Sequence, residues 1–162
     1  MANQFKEKGN EQFRNKNWEK ALEYFSQAIQ LDGSNHIFYS NRSATYFQLK
    51  QYSKSLEDAD TVVEMQPNWS KGYIRQGSAL FALGVYTRAK KSFETGVGLD
   101  PSNQELVTGL ARSQIALQIT RLLPNGLLAQ VPIFFDQNKR IDWERDLPFT
   151  ASSPLTSPSV DF

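Results

Sequence analysis

Hydrophobic residues recur at helical spacing in stretches that lie far apart in the chain. Ala21, Phe25 and Ala28 stand at i, i+4 and i+7, and Leu106 and Leu110 begin a similar series further along. This spacing places the apolar side chains of each stretch on one face of a helix. The pattern therefore predicts amphipathic helices, each of which buries one face against a neighbour.

The same order of residues returns every 34 positions, three times in succession. Aromatic, small and helix-breaking residues each keep this interval. The three sets are Phe13, Phe47 and Phe81; Gly9, Ser43 and Gly77; and Gly33, Pro67 and Pro101. Agreement at so many positions indicates three repeats, over residues 2–35, 36–69 and 70–103.

Each repeat accommodates two helices, here called helix A and helix B. A glycine in helix A, as at Gly77, lets helix B approach closely because no side chain intervenes. Pro67 and Pro101 end helix B of their repeats by removing a backbone donor, and we expect Gly33 to serve as a C-cap at the same register. The segment 104–122 should then cover the last pair as a capping helix.

The period and the order of these residues resemble the tetratricopeptide repeat. The resemblance implies an all-α solenoid over residues 2–122, built from three helix-turn-helix repeats and a C-terminal capping helix, seven helices in all. Residues 123–162 differ in kind, since five of the seven prolines lie there. We expect this tail to be irregular and, at its Ser- and Pro-rich end, disordered.

Helix A of each repeat also has a face directed away from helix B. At the helical rotation per residue, repeat positions 2, 5, 6, 9 and 13 fall within an arc of about 100°. Lys71 and Arg75 stand on this arc, stacked four residues apart, although like charges at that spacing repel. The complete set is Asn3, Lys6, Glu7, Asn10 and Arg14; Ile37, Ser40, Asn41, Ala44 and Gln48; and Lys71, Ile74, Arg75, Ser78 and Ala82. With four cations against one acid, the arc predicts a groove suited to an anion.

Three segments of helix A resemble the carboxylate-clamp tetratricopeptide domains of chaperone cofactors, in particular the first such domain of the Hop/Sti1 organising proteins. The segments are Phe-Lys-Glu-Lys-Gly-Asn (5–10), Tyr-Ser-Asn-Arg-Ser-Ala (39–44) and Lys-Gly-Tyr-Ile-Arg (71–75). The resemblance implies a clamp with five members, which are Lys6, Asn10, Asn41, Lys71 and Arg75. It also implies a co-chaperone-type adaptor that binds the C-terminal Glu-Glu-Val-Asp ends of heat-shock protein 70 and heat-shock protein 90 chaperones.

The chemistry of this residue set suits the implied ligand. Lysine and arginine supply charge, and asparagine amides supply directed donors, to the two carboxylates of a C-terminal Asp. We expect Ala44, Ile74 and Ser78 to line the groove beside the clamp, where Ala44 and Ile74 can take the Val side chain. The alternative is a generic repeat scaffold that binds an internal peptide or a helix, and a requirement for a free C-terminal carboxylate distinguishes the two.

Composition changes this picture little. The 162 residues carry a net charge of +1, with no cysteine and one histidine. We find no Gly-rich phosphate loop, no metal-ligand spacing and no nucleophile motif, so we expect no enzyme activity, no catalytic residue, no metal and no cofactor.

The groove lacks stacking aromatic residues, which argues against nucleic acid. No apolar run reaches the ~18 residues that span a bilayer, and without a signal-peptide pattern or cysteines we expect a cytoplasmic protein that does not bind membranes.

Overall fold

The computed structural model describes residues 1–122, and these residues form seven α-helices joined by short turns. The helices are α1 (Ala2–Arg14), α2 (Trp18–Leu31), α3 (His36–Gln48), α4 (Tyr52–Met65), α5 (Ser70–Ala82), α6 (Tyr86–Leu99) and α7 (Gln104–Leu122). The predicted all-α architecture of three helix pairs and a capping helix is confirmed. The predicted irregular tail, residues 123–162, lies outside the described residues.

The turn inside each helix pair has the same backbone geometry. Lys16, Lys50 and Gly84 have φ angles of 59°, 57° and 77°, in the left-handed region, and they are spaced 34 residues apart. Only glycine adopts this region without a steric cost. Two of the three repeats therefore place a lysine where glycine is the less strained choice.

The turns between helix pairs occur at the predicted helix-breaking prolines. Helices α4 and α6 end at Met65 and Leu99, each two residues before its proline. Gly33 stands at the same register after α2, but among the described glycines only Gly84 has a left-handed φ. The prediction of a C-cap at Gly33 is therefore wrong, since α2 ends without a left-handed cap. At the start of α7, the Asn103 side chain accepts hydrogen bonds from the next turn, which confirms the predicted N-terminal boundary.

Glycine sets the distance between paired helices. A Cβ atom on Gly77 would lie 2.7 Å from the ring of Phe93, so α5 and α6 pack closely only because that atom is absent. In the second repeat Ser43 takes the place of glycine. Its hydroxyl donates a hydrogen bond of 2.8 Å to the backbone oxygen of Ser55, and this bond satisfies a fully buried polar group.

The capping helix completes the core of the third repeat. Leu106 of α7 is fully buried against Leu80 and Phe93 of the preceding pair. Without this contact, the apolar face of α6 would be open to water, so α7 closes the stack. No helix within residues 1–122 is long and apolar enough to cross a membrane.

The odd-numbered helices form one continuous row. Each helix packs against the next in chain order, and α1, α3, α5 and α7 also contact one another in sequence. The even-numbered helices make no comparable contacts with each other among the described residues. The odd row is therefore the more tightly spaced layer, which makes it the concave side of the solenoid.

Candidate functional site

The candidate groove lies on the row of odd-numbered helices. Lys6 and Asn10 lie on α1, Asn41 lies on α3, and Lys71 and Arg75 lie on α5. The amide of Asn41 donates a hydrogen bond of 3.1 Å to the side-chain oxygen of Asn10. The predicted members on the first two repeats are therefore in direct contact across the joint between α1 and α3.

An acidic residue of the protein itself, Glu7, contacts two of the predicted clamp residues. A carboxylate oxygen of Glu7 lies 2.9 Å from the ammonium of Lys6, and the amide of Asn10 donates to the other oxygen at 3.4 Å. The hydrogen bond from Lys6, followed by that from Asn10, lowers the pKa of Glu7 below its ordinary value. Two of the predicted carboxylate donors thus already engage a carboxylate of the protein itself. The helical arc included Glu7, but the sequence gave no indication of these contacts.

Arg75 is the most unusual member of the set. Arg75 is half-buried, and desolvation lowers its pKa from the ordinary value, an effect that the charge of Glu105 partly opposes. Arginine nonetheless stays protonated at neutral pH. The Nε atom of Arg75 is buried and has no hydrogen-bond partner among the described residues. The structure therefore holds a partly desolvated positive charge with an unused donor at the centre of α5.

Lys71 and Ser78 lie on either side of Arg75 along α5. Lys71 is exposed and Ser78 is half-buried. Lys71 forms no ion pair within the part of the chain that the structure describes. Its ammonium is therefore available to a ligand that approaches the groove.

Two predicted groove residues are buried instead. Ile74 is only 4% exposed and belongs to the core cluster with Leu80 and Phe93. Ala44 is 8% exposed. The expectation that Ile74 takes a ligand side chain is corrected by this burial, since its surface already packs against the protein. Ile74 stands at the edge of the arc, where the neighbouring helices cover it.

An ion pair between Arg42 and Asp58 links the two helices of the middle repeat. Nε and Nη2 of Arg42 each donate to one carboxylate oxygen of Asp58, both at 2.8 Å. The Asp58 side chain is 7% exposed, and its hydrogen bonds raise the pKa of Arg42. This bidentate pair joins α3 to α4 at the residue next to Asn41.

The described residues contain no cluster of three or more His, Cys, Asp or Glu side chains placed to hold a metal ion. The groove instead offers two lysines, one arginine and two carboxamides. Such a set binds anions through charge and N–H donors.

Comparison with known proteins identifies the repeats. The family described as tetratricopeptide repeat matches residues 2–35 and 70–103, the same ranges as the first and third predicted repeats. Hsp70-Hsp90 organizing protein 1 of Arabidopsis thaliana is 50% identical over 125 residues, which cover 77% of this chain and 22% of that protein. The chain thus spans about a fifth of the length of this relative and of the Protein STIP1 homolog of Dictyostelium discoideum.

Two solved structures are similar to the chain over most of their own length. The first repeat domain of Spaghetti (RPAP3), bound to the HSP90 peptide SRMEEVD, is 32% identical with a TM-score of 0.71, over 72% of this chain and 93% of that one. The second such domain of human RPAP3, in complex with the HSP70 peptide SGPTIEEVD, is 31% identical with a TM-score of 0.65, over 68% of this chain and 92% of that one.

Proposed function

The chain belongs to the tetratricopeptide repeat family, and on this premise we propose that it is a co-chaperone-type adaptor whose groove binds the C-terminal carboxylate end of heat-shock protein 70 and heat-shock protein 90 chaperones. The observation that carries the proposal is Arg75, a partly desolvated cation with an unused donor on the concave row of helices. A partly desolvated charge whose buried N–H donor has no hydrogen-bond partner is costly. An anionic ligand at this point offsets that cost.

The other clamp members complete the recognition of a C-terminal Asp. Lys71 stands one turn from Arg75 on α5, and Asn41 and Asn10 are already in contact on α3 and α1. The two carboxylates of a terminal Asp present four oxygen atoms, enough for all of these donors. Each charge-assisted hydrogen bond contributes about 1.5–3 kcal/mol net. Loss of the terminal charge should therefore weaken binding strongly.

The similar proteins support this assignment. Two structural neighbours hold peptides that end in Glu-Glu-Val-Asp, and the Arabidopsis relative is named for both chaperones. We further propose an adaptor rather than an enzyme, since these relatives are repeat domains and an organizing protein. A chain without cysteine suits the reducing cytoplasm, where we place it.

A titration with matched peptides tests the proposal. A labelled peptide ending in Glu-Glu-Val-Asp should bind at least about tenfold more tightly than the same peptide with a C-terminal amide, since one charge-assisted partner is worth about 1.5–3 kcal/mol. Equal binding of both forms would refute the clamp and favour the scaffold that binds internal peptides. In parallel, Lys71→Met should weaken binding, whereas Lys91→Met, a matched exposed lysine on α6, should not.

A further inference from the structure

The 34-residue register of the groove continues into the capping helix. Asn10, Ala44 and Ser78 stand at one register position in the three repeats, and the next member of the series is Arg112 on α7. The row of odd-numbered helices includes α7, which contacts α5 directly. A fifth basic residue therefore stands at a groove position on the fourth helix of the concave row.

The side chain of Arg112 reaches back toward α5. Its guanidinium carbon lies 4.8 Å from the centre of the Phe81 ring, close enough for an attractive cation–π contact. Arg112 is half-buried, and burial lowers its pKa from the ordinary value. The aromatic ring thus holds the guanidinium beside the C-terminal turn of α5.

The position of Phe81 relates Arg112 to the proposed carboxylate anchor. Phe81 lies six residues beyond Arg75 on the same helix, which corresponds to about 9 Å along the axis. An extended peptide advances about 3.3 Å per residue. A peptide whose C-terminal residue is anchored at Arg75 and which runs along α5 therefore brings the third residue before its end to the level of Arg112.

We propose that Arg112 is a specificity-determining residue that selects an acidic side chain at the third position before the C-terminal residue of the bound peptide. This inference rests on the proposed function, since the peptide position is counted from the C-terminal residue that Arg75 binds. A guanidinium binds a carboxylate through two parallel N–H donors, so Arg112 distinguishes Glu from Gln at that position. It extends the clamp from the end of the peptide to its acidic stretch.

A double-mutant cycle tests the proposal. The peptides end in Glu-Glu-Val-Asp, Gln-Glu-Val-Asp and Glu-Gln-Val-Asp, and each is titrated against the unaltered chain and the Arg112→Met variant, which keeps an apolar stem over Phe81. Replacing the first Glu by Gln should weaken binding to the unaltered chain about three- to tenfold, and to Arg112→Met less than about 1.5-fold. Arg121→Met, an exposed arginine on the same helix, should retain the full discrimination.

The outcomes separate this inference from the proposed function. If Arg112→Met discriminates between the first Glu and Gln as strongly as the unaltered chain, Arg112 does not select that residue. Discrimination that depends on Arg112 only at the second Glu would overturn the assigned position. Both results leave the anchor intact provided that the amidated peptide still binds weakly. Equal binding of the amidated peptide would instead remove the proposed function itself.

Discussion

Replacing Arg75 by Met should make the protein more stable while removing its proposed activity. Arg75 is half-buried, its buried Nε lacks a hydrogen bond within the described residues, and the charge that opposes its desolvation belongs to the exposed Glu105. A buried polar group without a partner costs about 1–3 kcal/mol, and the lost attraction to an exposed acid is worth at most about 1 kcal/mol. Met keeps an apolar stem of similar length, so we expect a net gain of about 1–2 kcal/mol in the free energy of unfolding.

The measurement is a thermal denaturation combined with a peptide titration on the same samples. For a folded unit of this size, 1 kcal/mol corresponds to a shift of about 3–6 °C in Tm, so Tm should rise by at least about 3 °C. Affinity for a peptide ending in Glu-Glu-Val-Asp should fall about ten- to a hundredfold, since a charge-assisted bond worth about 1.5–3 kcal/mol is lost.

A matched control separates the site from a general effect of removing an arginine. Arg88 on α6 is exposed and lies outside the concave row, so Arg88→Met should change neither Tm nor affinity appreciably. The reasoning is refuted if Arg75→Met melts several degrees lower and binds the peptide normally. That combination would mean that Arg75 is a structural residue whose charge is already satisfied.

Three further substitutions address packing, competition and the buried ion pair. Gly77→Ala should lower the free energy of unfolding by about 1–2 kcal/mol in thermal denaturation, because the clash with Phe93 exceeds the ~1 kcal/mol gained in helix propensity. Glu7→Gln should raise affinity for the acidic peptide by up to about fivefold in titration, because the exposed Glu7 carboxylate no longer competes with the peptide for the clamp donors. Asp58→Ala should destabilise the fold by about 2–3 kcal/mol in chemical denaturation, because it strands the partly buried charge of Arg42.

Each of these predictions has a control within the chain. Gly98→Ala should be neutral or stabilising, since nothing lies within 4 Å of the added carbon; a loss as large as that of Gly77→Ala would contradict the packing argument. Glu11→Gln, an exposed acid on the same helix as Glu7, should leave affinity unchanged, and an equal gain would point to net charge alone. An Asp58→Ala variant as stable as the parent would show that the Arg42 pair contributes nothing.

The helices could be predicted from the sequence because their signals are local. The 34-residue interval of Phe13, Phe47 and Phe81 defined the units, and each helix B that precedes a proline ends two residues before it. Burial within the groove arc could not be predicted in the same way. Lys6 and Ile74 share one register position, yet Ile74 is buried among neighbouring helices that an isolated helical wheel omits.

Contacts between specific side chains also could not be predicted from the sequence. The contact between Asn10 and Asn41 joins residues 31 apart, and the capture of Lys6 by Glu7 depends on rotamers that no spacing rule specifies. The repeat period does point to Arg112, since Arg112 lies 34 residues after Ser78. The period alone, however, does not say that a capping helix continues the inner row in register.

The contribution of α1, α3 and α5 to one groove has a mechanical consequence. In a stack where each helix pair touches only its neighbours, the ends can unravel while the middle stays folded. A peptide held at Lys6, Asn41 and Arg75 at once would tie three successive pairs together, because the first pair could no longer leave without releasing the ligand. Occupancy would then convert stepwise fraying into a single cooperative transition, with amides of α1 and α2 exchanging their hydrogens as slowly as those of α5.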